Sequence, residues 1–251
     1  MSTDLSAVVE EAYAVFSKYR PGGRLTVCNC DVCMAMETER ELVRTPLRDV
    51  SSSLLAEYTN SAHGYDDEGD IATELRYFLP RYFELIAAHD PPDHMGMDQC
   101  LRRLGDASYR TKWPAQEADV IDRFFDAFLV ACTARLDVEE WPSGWKTAFD
   151  ITDALTMALT AGADGERLIH ALESTPDPGA AVHFASLRSR VLQVGSTPIF
   201  KSAYLEDEQY EETAKRLGAW LVGPAIRERI EAAFFVVADP RLQELLSKAA
   251  W

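Results

Sequence analysis

Three of the five cysteines in this chain of 251 residues, Cys28, Cys30 and Cys33, lie within one short segment near its beginning. Cys30 and Cys33 have the Cys-x-x-Cys spacing, which lets two thiolates in a tight turn face one ion, and Cys28 could supply a third. Zinc in proteins is commonly held by such thiolates. The spacing therefore predicts a metal site at Cys28, Cys30 and Cys33, with zinc as the expected cofactor.

The fourth ligand of a tetrahedral zinc site is not evident, because no second Cys-x-x-Cys follows. The candidates are His63, His89, His94 and Cys100, and sequence spacing does not choose among them. Two other interpretations stay open. If a helix began at Cys33, its N-terminus would stabilise a thiolate at Cys30, as in redox proteins. The three cysteines could also be reduced thiols that simply sit in a turn.

Other motifs that carry chemistry are missing from the sequence. It has no glycine-rich phosphate loop or dinucleotide fingerprint, no Gly-x-Ser-x-Gly and no His-Glu-x-x-His. The acidic run from Asp66 to Asp70 lacks the alternate-residue spacing and the later glutamate of an EF-hand loop, and it indicates a solvated loop that ends at a helix cap, Asp70. With no catalytic constellation, a non-enzymatic protein is favoured. The alternative is a metal-dependent protein that uses the three cysteines, either a zinc-stabilised scaffold or an enzyme.

The elements that must position the cysteines read as amphipathic helices. Apolar residues recur at spacings of three and four before the cysteines and, most clearly, after Trp113-Pro114, which predicts helices with one buried face. The two clearest stripes are Leu5, Val8, Val9, Ala12 and Phe16, and Ile121, Phe124, Phe125, Phe128 and Leu129. Further helices are expected near residues 146–161, 164–173 and 179–193. Convincing strands are not expected.

These patterns predict an all-α fold. About a dozen helices joined by short breaks would pack as αα-hairpins. A loosely HEAT-like superhelix is compatible with this, although no fixed repeat period is found. Residues 1–251 are expected to form a single α-helical domain. The best candidate for a soft boundary lies near residues 137–144, where Trp141-Pro142 interrupts the helical pattern.

The charge composition limits which classes of molecule are expected as partners. The chain carries 41 acidic and 25 basic residues, for a net charge of −16. Nucleic acids and anionic membranes attract basic surfaces, so we expect neither as a partner. A basic protein is the expected partner. The leading functional prediction is therefore an acidic protein–protein interaction protein, of the immunity or antitoxin type, that covers a basic toxin.

The compartment follows from what the sequence lacks. It has no apolar run of the roughly 20 residues that a membrane span needs. The first residues, Met-Ser-Thr-Asp-Leu, do not look like a secretory signal, and an odd number of cysteines argues against a disulfide framework. We therefore expect a reducing, cytoplasmic location.

Several short segments occur in a familiar order: the Cys30-x-x-Cys33 loop, Thr45-Pro46-Leu47-Arg48, Arg76-Tyr77-Phe78-Leu79-Pro80-Arg81 and Trp113-Pro114. Together they resemble a group of uncharacterised bacterial cytosolic proteins. The resemblance covers roughly the first half of the chain and implies a bacterial source and an all-helical fold, but no activity. Arg48, Arg76 and Arg81 are expected to anchor helices by pairing with nearby carboxylates.

Overall fold

The fold is all-α, as the sequence predicted, and it carries two small β-hairpins. We describe it from a computed structural model, which covers residues 4–30, 32–63, 68–142 and 144–249. The chain divides into two compact units. The first consists of Met1–Ala127 with Thr160–Ala163, and the second of Phe128–Leu159 with Asp164–Trp251.

The first unit is built from helices. They are α1 (Leu5–Val15), α2 (Met36–Arg44), α3 (Ser52–Asn60), α4 (Glu68–Ala87), α5 (Arg102–Asp106), α6 (Tyr109–Lys112) and the first part of α7 (Ala115–Cys132), with 3-10 turns at Leu47–Asp49 and Met97–Gln99. Asp4 caps α1 by accepting a hydrogen bond from the Ser6 N–H, and the Ser51 hydroxyl caps α3 in the same way at Leu54.

The core of the first unit is aromatic. The rings of Phe83 on α4 and Phe124 on α7 stack with centroids 3.8 Å apart, and both side chains are fully buried. Tyr58 on α3 packs against Phe78 on α4. These aromatic contacts hold α3, α4 and α7 together in the core of the first unit.

Pro80 lies inside α4, which runs from Glu68 to Ala87. Of the acidic run expected to form a loop, Asp66 and Asp67 lie outside the described residues, and Glu68 to Asp70 form the start of this helix.

The second unit contains two largely buried helices, α8 and α10. Its elements are the end of α7, β1 (Val138–Trp141), β2 (Gly144–Thr147), α8 (Ile151–Thr160), α9 (Gly165–Glu173), α10 (Gly179–Arg188), β3 (Val191–Val194), β4 (Thr197–Phe200), a 3-10 turn (Glu208–Tyr210), α11 (Glu211–Val222), α12 (Pro224–Val236) and α13 (Pro240–Ala249). Most residues of α10 are buried, and α11, α12 and α13 all pack against it. The consecutive helices α11 and α12 also pack against each other, as do α12 and α13.

The expectation that strands are absent was wrong in two places. β1 pairs with β2 in the region predicted as a soft boundary, and β3 pairs with β4 where a helix was expected to reach residue 193. Each hairpin has a glycine with positive φ, a conformation that favours glycine: Gly144 (117°) is the first residue of β2, and Gly195 (62°) lies in the turn between β3 and β4. Helix α11 packs against β4. A side chain at Gly218 on α11 would collide with the Pro198 carbonyl, so glycine allows this close approach.

Candidate metal centre

The cysteines lie between α1 and α2 in residues 20–35, which we call the cysteine loop; its described residues, 20–30 and 32–35, form neither helix nor strand. Three backbone N–H groups tie this loop to its surroundings, each at 2.7 Å. Leu25 donates to Glu39 on α2, Thr26 donates to Glu74 on α4, and Cys28 donates to the carbonyl of Ala62, just after α3. The loop is therefore attached to the first unit at three places, α2, α4 and the chain just after α3.

A tight turn then brings the thiols together. The Cys33 N–H donates to the Cys30 carbonyl at 3.2 Å, and the Met34 N–H donates to the Cys28 carbonyl at 3.3 Å. As a result, the Sγ atoms of Cys28, Cys30 and Cys33 all lie within 4.8 Å of one another. Cys30 is exposed and the other two are half-buried. This group could hold a metal ion.

The environment separates the acidities of two of these thiols. The backbone N–H of Val32, the side chain of Cys28 and the backbone N–H of Cys33 together lower the pKa of Cys30 to about 7. The backbone N–H of Cys30 lowers the pKa of Cys28, but hydrogen bonds with the side chains of Cys30 and Cys33, together with burial, outweigh it and raise that pKa. Cys30 is thus the thiol that ionises more readily of the two.

Helix position does not cause the acidity of Cys30. The redox interpretation required a helix that begins at Cys33, whereas α2 begins three residues later, at Met36. Hydrogen bonds within the turn provide the stabilisation instead. This correction removes the premise of the redox interpretation, and it leaves a turn whose amide groups point towards the thiolates.

Two buried carboxylates that sequence reasoning missed hold the loop. Glu39 is only 4% exposed and accepts from the Leu25 N–H. Glu74, 3% exposed, accepts from both the N–H and the hydroxyl of Thr26, and from the Tyr58 hydroxyl at 3.3 Å. Glu39 shares the buried face of α2 with Leu42, three residues later. A carboxylate in an apolar stripe was the signal that could have identified it.

The candidates for a fourth ligand lie at different places. His63 follows Ala62, so its backbone adjoins Cys28, but its ring nitrogens are not in the group of ligand atoms within 4.8 Å. Burial and the positive charge of Arg103 lower the pKa of His63 to about 4. Exposed His94 lies 3.2 Å from a carboxylate oxygen of Glu57. Cys100 is buried, and burial raises its pKa well above the usual value.

The arginines of the resemblance segments anchor helices, as predicted. Arg48 forms two hydrogen bonds with the Glu10 carboxylate, the closer at 2.7 Å. Arg76 Nε donates to Glu117 Oε2 at 3.0 Å and lies over the Trp113 ring. Arg81 pairs with Glu84 at 2.7 Å. Their partners are carboxylates on α1, α7 and α4, so these arginines have structural roles.

Comparison with known proteins does not assign the chain to a family. No family model matches the chain, and neither a curated protein nor a solved structure matches it. Over the residues described above, no helix is both long and apolar enough to cross a membrane.

Proposed function

We propose that this chain is a zinc-binding protein in which Cys28, Cys30 and Cys33 hold the ion. One observation carries the proposal: the three Sγ atoms lie within 4.8 Å of one another. Sulfurs bound to tetrahedral zinc at about 2.3 Å lie ~3.8 Å apart, so small side-chain rotations would suffice to bind the ion. Soft thiolates favour zinc or copper(I) over magnesium or calcium.

The surroundings of the cluster favour a structural role for the ion. The cysteine loop has no regular secondary structure among its described residues, and a few hydrogen bonds attach it to α2, to α4 and to the chain just after α3. A metal that cross-links three side chains of such a loop stabilises the folded state by its own binding free energy. Activity as a metal-dependent enzyme would require an open coordination position and is the alternative.

The test is metal analysis of protein purified under reducing conditions without chelator. We expect about one equivalent of zinc and, after replacement by cobalt(II), a thiolate-to-cobalt charge-transfer band. Cys28→Ser, Cys30→Ser and Cys33→Ser should each weaken binding strongly. Cys100→Ala, which removes a buried thiol outside the cluster, should leave it unchanged. Less than about half an equivalent of metal, with all three loop thiols freely titratable, would overturn the proposal.

We also propose that the acidic surface serves an interaction with a basic protein, as in an immunity or antitoxin-type complex. The favouring observation is the net charge of −16, because no arrangement of ion pairs can neutralise that surplus of carboxylates. Complementary charge would speed association and make its rate fall with salt. Affinity purification from the native cell should recover a basic partner at low salt. Recovery of acidic proteins only, or of none at any salt, would contradict this second proposal.

A further inference from the structure

His63 lies where the chain could complete the cysteine site. Helix α3 ends at Asn60, and Ser61 is its C-cap. The next carbonyl, that of Ala62, accepts the N–H of Cys28 at 2.7 Å. His63 is therefore covalently attached to the residue that fixes the first of the three cysteines, although 35 positions separate Cys28 from His63 in the sequence.

The ring of His63 has one satisfied and one unsatisfied nitrogen. Nδ1 lies 2.9 Å from the Ser61 carbonyl, and since a carbonyl oxygen only accepts, we assign the ring proton to Nδ1. Nε2 then carries a lone pair. It is buried and has no hydrogen-bond partner within the described part of the chain. A buried polar atom without a partner costs about 1–3 kcal/mol, so such an atom calls for an explanation.

This pattern is typical of a metal ligand. A histidine that binds zinc through one nitrogen usually donates its other N–H to a carbonyl or carboxylate, which fixes the tautomer and the ring orientation. The Ser61 carbonyl holds Nδ1 of His63 in that way and leaves Nε2 available. The rest of the ring packs edge-on against Tyr58, which limits its orientation.

The other candidate ligands fit less well. His89 follows the C-terminal end of α4, whereas Glu74, which holds the cysteine loop, lies 13 residues before the end of that helix. At 1.5 Å per residue this separates the two by about 20 Å. His94 pairs with Glu57 and is exposed. Cys100 is buried and is not part of the cluster.

We infer that Nε2 of His63 is the fourth ligand, which gives a closed Cys3His site. The inference rests on the proposed zinc-binding function. Nε2 lies outside the 4.8 Å group of sulfurs, so the His63 side chain and the thiols must move together when the ion binds. Four protein ligands would leave no open position, which is the arrangement of structural rather than catalytic zinc.

X-ray absorption spectroscopy of the zinc-loaded wild-type protein tests the ligand set. We expect three sulfurs and one nitrogen in the first shell, with the outer-shell scattering of an imidazole ring. In His63→Ala this imidazole signature should disappear, and zinc affinity, measured in competition with a chelator, should fall by more than the ~10–100-fold that is typical for loss of a residue that only supports a ligand. His94→Ala is the matched control, because it removes a histidine of the same unit that pairs with Glu57, and it should change neither.

A measurement on the unaltered protein removes any dependence on how the variants fold. In nitrogen-15 spectra of the wild type, zinc should shift the Nε2 resonance of His63 and leave that of His94 in place. If the wild type binds no zinc, the proposed function fails. If it binds zinc but the His63 resonance is unmoved and no imidazole scattering appears, zinc binding stands and the inference about His63 fails.

Discussion

At the scale of single residues, the five cysteines fall into two chemical classes. Burial raises the pKa of Cys132 to about 12 and that of Cys100 well above its usual value, so both are inert packing residues. Exposed Cys30 has a pKa lowered to about 7 by backbone N–H groups of its own turn and by the Cys28 side chain. Only a thiolate binds a metal or attacks an electrophile, so reactivity should concentrate in the cysteine loop.

We predict that Cys30 of the reduced, metal-free protein is alkylated faster than either core cysteine and at unusually low pH. The reactive form is the thiolate, which is populated above the pKa, so the rate should rise as the pH increases through about 7. An ordinary cysteine would show this rise near about 8.5. Mass spectrometry after brief treatment with iodoacetamide at a series of pH values gives the rate for each cysteine.

The Cys28→Ser variant is the control for this mechanism. The side chain of Cys28 contributes to lowering the pKa of Cys30, and a serine hydroxyl differs in size and hydrogen-bond strength from a thiol. The midpoint pH, at which Cys30 alkylation reaches half its maximal rate, should therefore differ between this variant and the wild type. A wild-type midpoint at or above that of an ordinary cysteine would show that the turn does not stabilise the thiolate.

At the residue scale, the sequence predicted the part of the candidate site whose residues are close together in the chain. The spacing of Cys28, Cys30 and Cys33 was sufficient to group them, because one turn determines their separation. It could not choose His63 over His94, since the closeness of His63 to Cys28 depends on a hydrogen bond between Cys28 and Ala62. Because Cys28 and Ala62 are 34 residues apart in the sequence, this contact depends on the tertiary fold and cannot be inferred from local spacing.

At the scale of elements, two helices hold the cysteine loop through buried carboxylates. Glu39 on α2 and Glu74 on α4 accept the N–H groups of consecutive residues, Leu25 and Thr26. Without them, those two N–H groups would lose their partners on folding, and the loop would lose two of its attachments. The helices thereby place the backbone that precedes Cys28, so they should influence metal binding without touching the metal.

We predict that Glu39→Ala weakens zinc binding by about 10–100-fold, since residues that orient a ligand segment typically have effects of this size. Glu37→Ala is the matched control. It removes a carboxylate two residues earlier on the same helix, but one that is 82% exposed and pairs only loosely with Arg40, at 3.5 Å. Zinc affinity of both variants is measured by chelator competition, and circular dichroism verifies their helical content. Equal affinities in the two variants would contradict the proposed role of Glu39.

Helices and hairpins differed in how far the sequence predicted them. Long apolar stripes such as that of α7 repeat the three-and-four spacing several times, so one irregular residue does not hide the pattern. The hairpin strands have four residues each, and their apolar residues do not alternate cleanly with polar ones. Gly195-Ser196 fits the end of a helix as well as a hairpin turn. The pairing of β3 with β4 distinguishes the hairpin turn from the end of a helix, and this pairing cannot be recognised from a short segment of sequence.

At the scale of the whole molecule, net charge dominates the surface. Many of the basic residues form ion pairs, such as Arg123 with Glu11 at 2.6 Å and Asp119 at 2.8 Å. Exposed pairs of this kind contribute about 0–1 kcal/mol each. The net charge of −16 means that repulsion among carboxylates acts over the entire surface. Repulsion and ion pairs respond to salt in opposite directions, so salt shows which of them prevails.

We predict that salt stabilises this protein at pH 7. Raising NaCl from about 10 mM to about 150 mM shortens the Debye length from about 30 Å to about 8 Å, which screens long-range repulsion more than it weakens close ion pairs. The midpoint of urea unfolding should therefore rise with salt. Urea is the suitable denaturant because it is uncharged.

The control is a variant with Glu206→Gln, Asp207→Asn and Glu208→Gln, three exposed positions in one acidic run. Its urea midpoint should rise less with salt than that of the wild type. A midpoint that falls with salt would mean that the ion pairs outweigh the repulsion.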